Sequence, residues 1–477
     1  MSSFPFHVKE HVVPGQHIRE WARGTARRQE DVVRLHVKQY IPKDNPAPGR
    51  PGDVTVVGAH ANGFPKELYE ALWAELHARA PACGFRLRAV WIADVSNQGY
   101  SGQLNEAVLG DDPAWHDLSR DLLHLVNVFR ADMPRPLVAL GHSFGANVLA
   151  HLALLHPRLF ATLVLLDPTI VVFDPARAVG PGTSPARAST FRRDLWPSRR
   201  DAVDAFRRSP FYRSWDPRVL NAWNRHAIRD LPTPLFPELP PAPGSVPAGS
   251  EEEQQQQQQQ HAGPAVTLRT TKHQEVFTFF RPLYPHITTT PSGSASSPPI
   301  YTVSRSGAPD YDPSQVSSGN VDGDGNEDGD GNGGNEPPFA FYRSEGGLVL
   351  GALPAVRPSV LFVHGETSDI SPPDLRALRV ATCGAGPGGS GGAAAGRVAE
   401  VLMRARGHLF PMEVPAETAA HAARWIGAEV ARWRREQAEY DAWARLPMRQ
   451  KTTLSQEFID KVGRPKARPK KVTDPKL

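Results

Sequence analysis

Residues 136–170, PLVALGHSFGANVLAHLALLHPRLFATLVLLDPTI, decide how this chain is read. Leu137 to Leu140 is an apolar run of buried-strand length, and Ala146 to Leu155 has the composition of a buried helix. Between them stands Gly141-His142-Ser143-Phe144-Gly145. Strand, G-x-S-x-G, helix is the context in which a serine is thrown to the tip of a sheet on an elbow, a turn too tight for side chains at the flanking glycines. Ser143 then sits at a helix start, where unpaired N–H groups and the helix dipole favour developing negative charge. Taken alone, the five residues also fit an ordinary strand-to-helix turn, so the rest of the chain has to carry the reading.

On either side of this stretch the same alternation recurs. Val54 to Gly58 and Leu87 to Ile92 read as buried strands, with helical spacing from Lys66 to Ala80 between them. Asp112-Pro113 reads as the start of the helix before the elbow strand, and Leu163 to Leu166 as the strand after it, closing at Asp167-Pro168. Ser359 to His364 and Arg397 to Arg404 read as two more strands, and a helix from Ala416 to about Trp443 follows. Strands alternating with helices predict a mostly parallel sheet covered on both faces. Val32 to Tyr40 adds one or two lead-in strands.

From about Val171 the pattern turns helical. Ser198 to Asp201 has the form of a capping box, with Ala202, Val203 and Phe206 inward. Asp216-Pro217 opens another helix with Leu220, Trp223 and Ala227 on one face, and Lys272 to Phe280 a third. Helices inserted between sheet strands predict a cap. Two stretches, about 237–264 with seven successive glutamines and about 292–338, rich in Ser, Gly, Asn and Asp, lack the apolar residues to offset chain entropy. Asp322 to Asn326 resembles the opening of a calcium loop, but Glu327 occupies the glycine position, so no calcium is expected. The glycine-rich run Gly384 to Gly396 reads as a flexible connection. It lacks the Lys-Ser/Thr of a phosphate cradle. The expected division is therefore 1–170 first part of the core, 171–350 cap with the two insertions, 351–445 second part of the core, and 446–477 a basic tail.

Composition narrows the function classes. Of 477 residues, 40% are apolar and 22% charged, with no run of membrane-spanning length. The N-terminus lacks the layout of a secretory signal. Two cysteines, Cys83 and Cys383, supply neither a disulfide framework nor a cysteine zinc site, and a reducing compartment fits. The net charge is +4, yet Arg449 to Lys476 holds nine Lys/Arg against three Asp/Glu, which leaves the rest near −2. The basic character belongs to the tail, and no nucleic-acid partner is expected for the body.

A serine hydroxyl needs a base to take its proton and an acid to orient that base. In this architecture the order is Ser, acid, His. His408, in GHLFPME after the last strand, is the expected base. Asp369, just past the penultimate strand, is the first candidate for the acid, although it falls one residue later after Gly365 than the usual G-x-x-D spacing. Asp167, at the end of the strand after the elbow, is the alternative, and Glu366 a minor one. His142 and His364 read as local packing. Acyl transfer also needs donors for an oxyanion. The Phe144 backbone N–H is one candidate and Asn62, in the loop after Val54 to Gly58, the other, with His60 and Gly63 shaping that loop. No cofactor or metal is called for.

With these residues in place, GHSFG, the AHANGFPKE loop, the D-x-x-x-x-G-x-S turn at Asp94 to Ser101 and GHLFPME resemble the α/β-hydrolase superfamily. HANGFPKELYE, LGDDPAWHDLSRDLLHLVN and TTKHQEVFTF are similar to fungal peroxisomal serine hydrolases, a group that includes the yeast peroxisomal lipase and hydrolases of host-selective toxin pathways. The resemblance covers most of the chain outside the two insertions. It implies the α/β-hydrolase fold with a helical cap and a small-molecule ester or lipid-type acyl substrate. Ala61 departs from the glycine that many members of the wider superfamily carry in the oxyanion loop. Pro475-Lys476-Leu477 approximates the S-K-L address, with Pro in the first position, and so predicts an import-receptor partner and the peroxisomal matrix, or otherwise the cytoplasm. The expected function is a serine hydrolase of esters or thioesters. Acyl transfer through the same acyl-enzyme and a non-catalytic binding module stand as alternatives. Epoxide or haloalkane opening would need a carboxylate where Ser143 stands.

Overall fold

The computed structural model describes residues 4–45, 49–174, 184–238, 263–282, 286–287, 301–302 and 341–464. Its frame is an eight-stranded sheet: β1 (Phe6–Pro14), β2 (Arg34–Pro42), β3 (Val54–Ala59), β4 (Leu87–Ala93), β5 (Leu137–His142), β6 (Thr162–Leu166), β7 (Ser359–Gly365) and β8 (Val398–Met403). The spatial order is β1-β2-β4-β3-β5-β6-β7-β8. β2 runs antiparallel to both β1 and β4, and the six strands from β4 to β8 are parallel. Parallel strands covered on both faces read as unbroken apolar runs, and every residue of β3, β5, β6 and β7 is buried. β1 was not anticipated from sequence: seven of its nine residues are at least partly exposed, so it shows no core-facing period.

Helices α1 (Glu70–Arg79), α2 (Gly99–Asn105), α3 (Trp115–Val128) and α4 (Phe144–Leu155) connect the strands of the first half. Leu118, Leu122 and Leu125 of α3 are almost wholly buried, each worth about 2 kcal/mol of apolar burial. This helix begins at Trp115, two residues beyond the expected Asp112-Pro113 start. The D-x-x-x-x-G-x-S segment is more than a turn. Asp94 accepts from the Tyr100 N–H at the start of α2 and pairs with buried Lys66 at 2.6 Å, while the Ser101 hydroxyl donates to the Asp94 carbonyl.

The segment after β6 carries α5 (Pro185–Phe191), α6 (Arg199–Arg208), α7 (Pro217–His226) and α8 (Lys272–Phe279), with a small three-stranded sheet of Leu195–Trp196, Val266–Leu268 and Ile228–Asp230. Ser198 accepts from the Asp201 N–H and Asp216 from the Arg218 N–H, so both expected helix starts are capped. On α7 the buried pair is Val219 and Trp223, with Leu220 only half-buried. The expected insertions fall largely outside the described residues. Helix α9 (Glu345–Ala352) crosses position 350 and meets the elbow helix, since Asn147 donates to the Glu345 carbonyl. The 384–396 run is a connection, as expected, but a tied one: Gly384, Gly386 and Ser390 N–H groups donate to the carbonyls of Leu353, Pro354 and Val356. Helix α10 (Pro373–Thr382) precedes it, and α11 (Pro415–Ala444) follows β8.

The chain divides into two compact units, 1–429 and 430–477. In the second, short helices Met448–Thr452 and Gln456–Val462 occupy part of what reads from sequence as a plain tail. Among the described residues no helix is long and apolar enough to cross a membrane.

Candidate active site

Register brings the site together at the carboxyl ends of the parallel strands. Ala59 of β3 pairs with Gly141 of β5, and His142 pairs with Leu166 of β6. The residues one step beyond, Ser143 and Asp167, therefore lie side by side although 24 positions separate them in sequence. Both have positive φ, 58° and 40°, where non-glycine residues are rare and a surrounding framework must hold them. The elbow is held by contact. A Cβ on Gly145 would lie 2.5 Å from the Ala59 and His60 carbonyl oxygens, and one on Gly141 would lie 2.7 Å from the Gly145 carbonyl oxygen. The two glycines are there because backbone occupies the space.

His408 completes the arrangement. Its Nε2 lies 2.9 Å from Ser143 Oγ and its Nδ1 lies 2.6 Å from Asp167 Oδ2. With Nδ1–H donating to the carboxylate, Nε2 is left as the acceptor for the serine proton. Thr169 Oγ1 is 3.2 Å from Ser143 Oγ. Because the serine proton faces His408, the Thr169 hydroxyl is the donor in that contact.

Asp369 does not reach the site. It is exposed, and the histidine's carboxylate partner is Asp167, the alternative from sequence. The minor candidate Glu366 is also exposed and accepts from Arg404 and from the Ala405 N–H. Asp167 is wholly buried. Burial alone would raise its carboxyl, but the hydrogen bond and charge of His408 and the hydroxyls of Ser368 and Ser371 outweigh it and hold the group at about 2. Ser368 donates to Oδ2, and buried Arg379 donates to Ser371 Oγ at 2.8 Å and to the Ile170 carbonyl at 2.9 Å. Thr169, Ser368, Ser371 and Arg379 were not singled out from sequence; Thr169 follows Asp167 by two residues, which was its only signal.

The loop after β3 faces the elbow. His60 Nε2 accepts from the Val95 N–H, so its Nδ1–H donates to the Ala61 carbonyl at 2.8 Å, and the Phe64 N–H donates to the same oxygen at 3.2 Å. In a trans peptide the N–H points opposite the carbonyl, so these bonds fix the direction of the Asn62 N–H. Neither that N–H nor the Phe144 N–H at the start of α4 has an acceptor among the described residues. Cap and loop are joined here. The Asn62 side chain donates to the Glu275 carbonyl of α8 at 3.0 Å, and Gln98 donates to Asn62 Oδ1 at 2.5 Å while accepting from the Gly63 N–H at 2.7 Å.

His364 is a packing residue in the expected sense, with Nδ1 2.9 Å from Glu400. His142 is not merely that, as its bonds to Tyr69 and His408 show. Cys83 and Cys383 are free thiols. No group of three or more His, Cys, Asp or Glu among the described residues is placed to hold a metal ion.

Comparison with known proteins agrees with this architecture. A family model described as the alpha/beta hydrolase fold matches residues 61–242. The type I acyl-CoA thioesterase mpaH of Penicillium roqueforti is 36% identical over 446 residues, covering 92% of this chain and 92% of that protein. The corresponding thioesterase mpaH' of Penicillium brevicompactum is 37% identical with the same coverage. An abhydrolase domain-containing protein of Alternaria alternata, AFT2-1, is 41% identical over 97 residues, 20% of this chain and 35% of its own length. Among solved structures, the peroxisomal alpha-beta-hydrolase Lpx1 of Saccharomyces cerevisiae superposes with a TM-score of 0.59 at 14% identity, covering 95% of this chain and 100% of that one. With relatives matching along nearly its whole length, over a parallel sheet, a serine elbow and an inserted cap, the chain belongs to the α/β-hydrolase family.

Proposed function

We propose that this protein is a serine hydrolase that cleaves an acyl thioester, of the acyl-coenzyme A class, through an acyl-enzyme on Ser143. The observation that carries the reading is the unbroken hydrogen-bonded series Ser143 Oγ, His408 and Asp167, at 2.9 and 2.6 Å. That the Penicillium relatives are named acyl-CoA thioesterases supports the thioester over the oxygen ester as substrate.

In this reading His408 Nε2 takes the Ser143 proton as Oγ attacks the thioester carbonyl. Asp167, ionised through the neutral range, orients the ring and stabilises the imidazolium that forms. The Phe144 and Asn62 N–H groups receive the oxyanion, a contact typically worth about 3 kcal/mol per donor. Collapse breaks the carbon–sulfur bond, and His408 returns its proton to the departing thiolate. Water, deprotonated by the same nitrogen, then attacks the acyl-enzyme and releases the acid and free Ser143.

Release of free thiol from a series of acyl-coenzyme A substrates, followed with a thiol-reactive chromophore, tests the proposal. Thiol release by wild type and its loss in Ser143→Ala is the expected result. Turnover of oxygen esters with indifference to thioesters would move the substrate class. The proposed peroxisomal address rests on Pro475-Lys476-Leu477 as the tripeptide read by an import receptor. These residues lie outside the described ones. Loss of a punctate distribution on removing the three residues is the expected result, and an unchanged distribution would refute it.

A further inference from the structure

His142 stands immediately before the nucleophile, and its fully buried ring makes two hydrogen bonds that admit one assignment. Nε2 lies 3.0 Å from the His408 backbone oxygen. A carbonyl only accepts, so Nε2 carries the proton. Burial, and the His408 ring beside it, push this histidine down to about 3, so the ring is neutral and Nδ1 is an acceptor. Nδ1 lies 2.9 Å from Tyr69 Oη, so the Tyr69 hydroxyl is the donor there. The same oxygen accepts from the Ala61 N–H at 2.8 Å. The opposite tautomer would set two lone pairs against each other at His408 and strand the buried Tyr69 hydroxyl, a penalty of the kind that buried polar groups avoid.

The series thus runs from Ala61 N–H to Tyr69, from Tyr69 to His142, and from His142 to the backbone of His408. Its ends matter. Ala61 precedes Asn62, whose N–H direction is set by the Ala61 peptide, and His408 carries the base. We propose that Tyr69 and His142 are positioning residues, a hydrogen-bonded strut that fixes the loop bearing His408 relative to the loop bearing the Asn62 N–H. The inference rests on the reading of Ser143 as nucleophile. It goes beyond that reading in assigning work to two side chains that touch no reacting atom. Both ends of the strut serve the tetrahedral species, so loosening it lowers kcat and leaves ground-state binding unchanged.

The test uses Tyr69→Phe, His142→Leu and the double variant in the full chain. kcat and KM are measured with a medium-chain acyl-coenzyme A, per site titrated with a fluorophosphonate so that only folded enzyme is counted. Each single variant is expected to lose ~10-fold in kcat with KM within about twofold, the effect of one lost hydrogen bond felt only in the transition state. The double variant should fall no further than the worse single one, because one broken link already frees both ends. Unchanged kcat in Tyr69→Phe, losses that multiply, or kcat and KM moving together would overturn the strut. An arm independent of turnover is ¹⁵N NMR of histidine-labelled protein, in which His142 should stay neutral and Nε2-protonated from pH 5 to 8. An active enzyme with the Nδ1–H tautomer contradicts the strut, whereas an inactive enzyme with the expected tautomer contradicts the hydrolase reading.

Discussion

Asp167 and His408, 241 residues apart in the chain, meet through a 2.6 Å contact between Oδ2 and Nδ1, while Asp369 stays exposed. If this contact orients the base, Asp167→Asn should lower kcat by up to ~10⁴, by analogy with the wrong-tautomer effect in serine proteases. Asp369→Asn should leave kcat within about twofold. Steady-state kinetics on the two folded variants checks this, and the reverse ranking would return the role to Asp369.

The difference between these aspartates also shows what was legible in the sequence. The elbow was, because G-x-S-x-G between a strand and a helix is a local pattern, and the backbone contacts at Gly141 and Gly145 explain it. So were the parallel strands, whose burial on both faces leaves unbroken apolar runs. The acid was ambiguous because Asp167 and Asp369 each follow a buried strand, and only pairing across the sheet tells them apart. Register held a usable clue: with β5 and β6 as neighbours and His142 opposite Leu166, Asp167 falls opposite Ser143. β1 escaped notice because an edge strand with Val8 and Val12 exposed has no core face to reveal. Arg379 gave no signal either, since a lone arginine on a helix ordinarily faces water.

The Thr169 hydroxyl 3.2 Å from Ser143 Oγ makes a second prediction. Thr169→Val keeps the volume and removes the donor, so kcat should fall by ~5- to 20-fold with the melting temperature nearly unchanged. Thr169→Ser should recover most of it. Equal activity in all three proteins would show that the hydroxyl is a bystander.

Gly145→Ala would place a methyl 2.5 Å from two carbonyl oxygens, those of Ala59 at the end of β3 and of His60 in the loop that follows it. The elbow and the loop must then separate, at a cost of about 3 kcal/mol in stability and with loss of turnover. Urea unfolding and thiol-release assays of the variant check both. A variant as stable and active as wild type would mean that the two backbones are not in contact.

Acid sensitivity follows from two buried histidines, His142 and His364, and two half-buried ones, His151 and His226. Burial is the largest cause holding His142 and His151 at about 3 and His226 and His364 at about 4. All are neutral when folded and take up protons on unfolding below about pH 6.5. Their folded values are depressed, so stability falls as pH drops from 6.5 toward 4, by up to about 1.4 kcal/mol per pH unit for each histidine. Asp167 acts later. Held at about 2 against an ordinary 3.8, its contribution is complete above about pH 4 and is lost as pH falls through 2. Unfolding free energies at pH 7.5, 6.0 and 5.0 should decline with proton uptake, and a flat profile would show that these rings are not held neutral in the folded protein.

In the proposed reaction Ser143 carries the acyl group. Intact-protein and peptide mass spectrometry of enzyme quenched in acid during turnover of an acyl-coenzyme A measures it directly. One acyl adduct is expected, on the peptide that contains Ser143, accumulating to higher occupancy in His408→Gln given an activated acyl donor and absent from Ser143→Ala. Sustained thiol release by Ser143→Ala at the wild-type rate, with no adduct on either protein, would contradict it.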